Sequence, residues 1–271
     1  MFYSGSRLNL FIGINVIVFV VIGLLKLEWL FTGSPTISTW LVHQLSVPAY
    51  PELLLYKPWT VFTYMFTHEE IFHFIFNMLV LFWFGRIFED FLNSKQFTFI
   101  YLAGGLFGAF LYLLSYSIFP ALIPQSLHTL LLGASGSVMA IVVATATLLP
   151  DYSIRLLFFG DVRLKFLALA YVVLDVILIA GGNPGGSIAH LGGSLLGFIF
   201  IKQLQAGNDW SRIFRKRQRL KVVKHTSRTT TIRNSVPEQE LIDEILDKIS
   251  KSGYESLTPQ EKEQLFKASN K

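Results

Sequence analysis

The sequence predicts an all-α membrane protein: a bundle of six transmembrane helices followed by a short soluble helical tail. Three observations carry that prediction. Hydrophobic residues make up 52% of the 271 positions against 15% charged, with a mean hydropathy of +0.50, well above a soluble globular average. Six apolar runs, at 9–25, 71–88, 96–118, 133–149, 165–181 and 188–204, are each long enough to cross a hydrocarbon core of roughly 30 Å. Basic charge is concentrated, with ten Lys and Arg between Lys202 and Arg233. This divides the chain into a membrane domain over 1–205, a basic linker over 206–234 and a helical hairpin over 235–271. The absence of cysteine excludes a disulfide framework, a thiolate zinc site and a cysteine nucleophile.

The first run follows Arg7 and superficially resembles a signal peptide. No small-x-small cleavage site follows it, and Lys26 and Glu28 come next, so it is expected to remain as the first span. Arg86 and Lys95 lie between the second and third runs, and Arg155, Arg163 and Lys165 between the fourth and fifth. The third-to-fourth and fifth-to-sixth connections carry no charged residue. The positive-inside rule then puts both termini in the cytoplasm, so that spans two, four and six begin at the outer surface.

The linker opens with "RIFRKRQRLKVVKH", a juxtamembrane run suited to anchoring topology against anionic lipid rather than to binding nucleic acid. Beyond it, Leu241, Ile242, Ile245, Leu246 and Ile249 form one helical stripe that stops at Gly253. A second helix starts with Thr258 as N-cap, Pro259 at the first helical position and Glu261 completing a capping box. The stripe suits packing within the hairpin or docking on a partner.

Strongly polar side chains inside membrane spans are costly and mark candidate sites; His73, Asn77, Ser135 and His190 stand out. The stretch "HEEIFHFIFN" (68–77) invites a zinc reading, but His68 and His73 are five apart and diverge by about 140° on a helix, whereas the zincin motif needs a spacing of four. No metal is expected. His73 and Asn77 are four apart and share a face, which suits either interhelical hydrogen bonding or a paired polar site. Ser135, between Gly133 and Gly136, lies about 21 Å along the helix from Leu149. It is therefore sunk on the order of 9 Å below the outer boundary, where a helix N-terminus requires a protein-lined cavity. Small residues there also serve close packing. His190 precedes Gly193 and Gly197, whose spacing lets its helix approach the Gly136, Ala140, Ala144 face of span four. A lone interfacial histidine is often structural, but four polar positions at one depth on alternate spans point to a shared site.

A serine beside a histidine is an activated nucleophile. No Asp or Glu lies near the outer ends of spans four or six, so a dyad is expected, with the Ser135 backbone N–H, His73 and Asn77 as oxyanion donors. The reaction would be peptide-bond hydrolysis within or beside the membrane, without a cofactor.

Over residues 9–204 the chain resembles the rhomboid intramembrane serine proteases. Their GxSG motif appears as "GASG" around Ser135, their HxxxN pair as His73 and Asn77, and their AHxxGxxxG signature as "AHLGGSLLG" with His190, Gly193 and Gly197; His68 matches a further family histidine. The resemblance implies a six-helix bundle, a Ser135/His190 dyad and an acyl-enzyme. It also implies single-span membrane proteins as substrates, cut near helix-destabilising residues. His68, with Glu69 and Glu70, is expected at the wet rim, holding water or bonding the loop. Two positions depart from the family pattern: Thr60 follows Trp59 where Trp-Arg is frequent, and Met139 stands where an aromatic often stacks on the catalytic histidine. The tail resembles the cytoplasmic hairpin of some bacterial rhomboids, implying a bacterial inner membrane. Two other functions compete. A non-catalytic rhomboid-like binder of membrane helices usually lacks the serine or histidine, and a small transporter would carry its polar site at the midplane.

Overall fold

A computed structural model of the chain describes residues 6–156, 160–214 and 236–269. Six main helices form the bundle: α1 (Arg7–Lys26), α2 (Ile71–Phe91), α3 (Ser94–Ile118), α4 (Ser135–Leu148), α5 (Leu164–Leu178) and α6 (Pro184–Gln205). Among the described residues, α1, α2, α3 and α6 belong to the four helices long and apolar enough to cross a membrane. The other two are short, with 14 residues in α4 and 15 in α5, or about 21 and 22 Å at 1.5 Å per residue.

The starts of α1, α3 and α6 each have a local cause. Ser6 accepts the Asn9 N–H, and Glu89 from the far end of α2 accepts the backbone N–H groups of Arg7 and Leu8 at 3.0 and 3.2 Å, so a carboxylate meets the positive end of α1. Asn93 and Gln96 close a capping box on α3. Asn183 accepts the Gly186 N–H at 3.1 Å ahead of α6, and Pro184 takes the first helical position, where its missing N–H costs nothing.

The centre is α4. Every residue from Gly136 to Val142 is buried, as expected of a helix apolar on all sides. It packs against α6 with almost no side chain between them. A Cβ added at Gly193 would overlap the Gly136 carbonyl, and one at Gly197 the Ala140 carbonyl. At the periphery the reverse holds: Ile17 and Leu24 of α1, and Leu169, Val176 and Ile177 of α5, are exposed, the pattern of a lipid-facing surface.

The long connection between α1 and α2 is largely helical: Trp29–Thr32, Thr36–Leu45, Pro51–Tyr56, Thr60–Thr63 and a 3₁₀ turn over Tyr64–Phe66. Within it β1 (Val47–Pro48) pairs antiparallel with β2 (Leu130–Leu131), just before α4. A second hairpin, β3 (Ser153–Leu156) with β4 (Gly160–Arg163), links α4 to α5. Neither pairing was expected from the sequence.

The chain separates into two units, Met1–Lys216 and Arg217–Lys271. Most of the basic linker lies outside the described residues. In the second unit, α7 (Val236–Ser252) ends before Gly253, whose φ of +76° suits only glycine readily, and α8 (Pro259–Ser269) follows. The Glu261 carboxylate accepts the Thr258 N–H at 2.7 Å, the Thr258 hydroxyl accepts the Glu261 N–H, and Lys248 pairs with Glu261 at 2.8 Å. Of the apolar stripe, Ile245 is buried while Leu241 and Leu246 are exposed.

Candidate active site

Ser135 is the first residue of α4, so its backbone N–H has no partner within the helix. The approach to it is held from the α1–α2 connection. The Gly133 N–H donates to the Tyr64 carbonyl at 2.9 Å, the Tyr64 hydroxyl donates to the Gly105 carbonyl of α3 at 2.5 Å, and the Ala134 N–H donates to His68 Nε2 at 3.2 Å. Gly133 has φ +113°, a conformation open to glycine. A Cβ there would stand 2.9 Å from His73 Cε1 and 3.7 Å from Ser135 Oγ. The glycine thus lets the His73 ring lie against the turn that presents the serine.

His68 is not at a wet rim. It is 0% exposed, because the segment before α2 folds back under the Ser135 turn, and its ring packs edge-on against His73 with centroids 5.3 Å apart. Burial, reinforced by the neighbouring His73 imidazole and opposed by the Phe66 backbone, pushes the His68 imidazole down to about 4. The ring is therefore neutral near pH 7, as Nε2 must be to accept from Ala134.

His73 is half-buried in the first turn of α2 and Asn77 is buried one turn below. One Asn77 N–H is taken by its own helix, donating to the His73 carbonyl at 2.8 Å; the other has no protein partner among the described residues. His190 lies in the second turn of α6, deeper than the span start expected at 188, because the helix begins at Pro184. Its neighbour Ala189 meets Ser135's neighbour Gly136: a Cβ on Gly136 would be 3.5 Å from the Ala189 carbonyl oxygen. Among the described residues neither Ser135 Oγ nor His190 Nε2 carries a hydrogen bond to another side chain. Such bonds commonly tighten only when substrate is present.

The expectation that no acid reaches His190 fails. Asp175, on α5, places Oδ1 2.8 Å from His190 Nδ1. It is 6% exposed, and the His190 side chain 26%. Only the ends of spans four and six invited a search for an acid, whereas the neighbour that supplies it is α5. One signal was available: Asp175 is the only charged residue between Lys165 and Lys202. Tyr64 also went unnoticed, since its role depends on a backbone carbonyl.

Comparison with known proteins gives two family matches. Residues 56–205 match the rhomboid domain family, and residues 234–271 match a family of unknown function (DUF6576). The chain is similar to RHOMBOID-like protein 12, mitochondrial, of Arabidopsis thaliana, with 31% identity over 157 residues, covering 55% of this chain and 47% of the relative. It is similar to presenilin-associated rhomboid-like protein A, mitochondrial, of Danio rerio, at 32% over 162 residues, covering 57% and 38%. The presenilin-associated rhomboid-like protein, mitochondrial, of Homo sapiens is 29% identical over 141 residues, covering 50% and 35%. The chain thus spans less than half the length of these relatives. With the rhomboid domain matched across more than half of its length, the chain belongs to the rhomboid family of multi-pass membrane proteins.

Proposed function

We propose that this protein is an intramembrane serine endopeptidase that hydrolyses peptide bonds of single-span membrane proteins. The observation that supports the reading is that Ser135 opens α4 beside the His73 ring, while Ala189, next to His190 on α6, meets Gly136, next to Ser135. Ser135 Oγ attacks the scissile carbonyl while His190 Nε2 takes its proton, and His190 then returns that proton to the leaving amine. The acyl-enzyme is released by water, again with His190 as base. The oxyanion is met by the unpaired Ser135 N–H, the second Asn77 N–H and the His73 ring. His68 and Gly133 act at one remove, by fixing the turn.

Orientation follows from charge. With the basic segment after α6 on the cytoplasmic or equivalent side, both termini lie there and the site opens to the opposite face. A bacterial inner membrane is supported by the tail's resemblance to bacterial hairpins, while the relatives matched are named mitochondrial; the charge asymmetry is the same in either setting. Anionic lipid is the expected contact of the basic linker.

The test is cleavage. Wild-type protein in detergent is incubated with a panel of single-span substrates beside Ser135→Ala and His190→Ala. The reading expects cleavage by wild type alone; persistent cleavage by either variant would remove that residue from the mechanism.

A further inference from the structure

We infer that Asp175 is a positioning residue for His190, holding the imidazole so that Nε2 faces Ser135 and completing a Ser135–His190–Asp175 triad where the sequence suggested a dyad. The inference rests on the proposed serine chemistry and adds to it a third helix.

A carboxylate inside a membrane span is expensive and persists where it faces a partner in the bundle. Asp175 meets that condition. It is the only charged residue in the 36-residue stretch separating Lys165 from Lys202, it is buried together with Leu164 and Ala168 on a helix whose Leu169, Val173, Val176 and Ile177 are exposed, and its one hydrogen bond among the described side chains runs to His190 Nδ1. Were the contact needed only to join α5 to α6, a hydroxyl or amide would serve at lower cost. The carboxylate has a property these lack: ionised, it only accepts. An acceptor at Nδ1 requires the ring proton there, which leaves the Nε2 lone pair free as base. In the opposite tautomer Nε2 would carry a proton and could not take one from serine.

The surroundings leave this assignment to Asp175 alone. The start of α2 carries the titratable His73, with Glu70 at its N-cap. From α4 comes Ser135, with no charged side chain, and from α3 come Tyr112 and Tyr116, which meet α6 at Gly185, more than a turn before His190.

The test uses the full chain in detergent with two readouts, steady-state cleavage and the rate of fluorophosphonate labelling, which reports serine reactivity independently of substrate binding. Asp175→Asn and Asp175→Ala are expected to lower kcat and labelling by about 10²- to 10⁴-fold, with KM within about threefold, and Asp175→Glu to recover part of the loss. The order also matters. Asn keeps the shape but offers an N–H to Nδ1 and favours the wrong tautomer, so it should be at least as damaging as Ala; a packing role alone gives the reverse order. Asn within about fivefold of wild type on both readouts, or Ala clearly worse than Asn, overturns the proposal. Should neither variant fold, isotope-labelled histidine in the wild-type chain decides by NMR: a proton on His190 Nδ1 supports the triad, and a proton on Nε2 alone overturns it. If Ser135→Ala still cleaves, the serine reading itself falls; if Ser135→Ala is dead and Asp175→Asn is not, only the positioning role falls.

Discussion

His68 Nε2 accepts the backbone N–H of Ala134 at 3.2 Å, so a fully buried imidazole in the segment before α2 holds the residue immediately before the candidate nucleophile. This bond exists only while the ring is neutral. The folded-state value near 4 lies below the ordinary 6.5, so between those pH values the unfolded chain binds a proton that the folded chain does not. The contribution of His68 to stability is complete above about pH 6.5 and falls as pH drops toward about pH 4, on the order of 3 kcal/mol at roughly 1.4 kcal/mol for each pH unit. Thermal unfolding in detergent at about pH 7 and about pH 4.5 should show a drop in the wild type that is much smaller in His68→Gln, whose side-chain oxygen can accept the same N–H at any pH.

Gly133 carries two constraints at once, a φ of +113° and the His73 ring 2.9 Å from where a Cβ would stand. Gly133→Ala should cost on the order of 1–3 kcal/mol of stability and reduce cleavage at least about 10²-fold, because the turn must move Ser135 or the ring must leave. Cleavage assays and unfolding curves on one preparation check both; a variant with near wild-type rates would show that the turn tolerates the shift.

Close contact of α6 with α4 brings Ala189 against Gly136, the residues beside His190 and Ser135. Gly193→Ala and Gly197→Ala drive a methyl into backbone carbonyls of Gly136 and Ala140 and should lower stability by about 2 kcal/mol or more and abolish cleavage. Gly23→Ala, on α1 with nothing within 4 Å of the new Cβ, is the matched control. It should be neutral or slightly stabilising. Equal behaviour of all three would deny the packing argument.

Glu89 ties the far end of α2 to the start of α1, away from the site. Glu89→Gln should cost roughly 0.5–2 kcal/mol with kcat changed less than about threefold, as read by unfolding and by turnover on the same sample. A large kcat effect would mean that this end of the bundle controls the other.

How much of this was legible depended on whether the signal was local. The helices announce themselves through run length, and His73 and Asn77 through a spacing that puts them on one face. The "GASG" and "AHLGGSLLG" stretches combine a polar residue with the small residues that let it approach a partner. Asp175 was not legible by spacing, because it reaches His190 only through the packing of α5 on α6; its mark was chemical, a lone charge in an apolar run. His68 was placed wrongly because three polar residues in a row look like a rim, and only the fold-back of Tyr64–Thr67 buries the first of them. The pairing of Val47–Pro48 with Leu130–Leu131 involves two residues a side, too short for alternation to register.

The most direct test of the central claim is to react the wild-type chain in detergent with a fluorophosphonate and to locate the adduct by mass spectrometry. The account predicts a single adduct on Ser135, absent in Ser135→Ala and strongly reduced in His190→Ala. An adduct on another residue, or labelling that persists in Ser135→Ala, would contradict it.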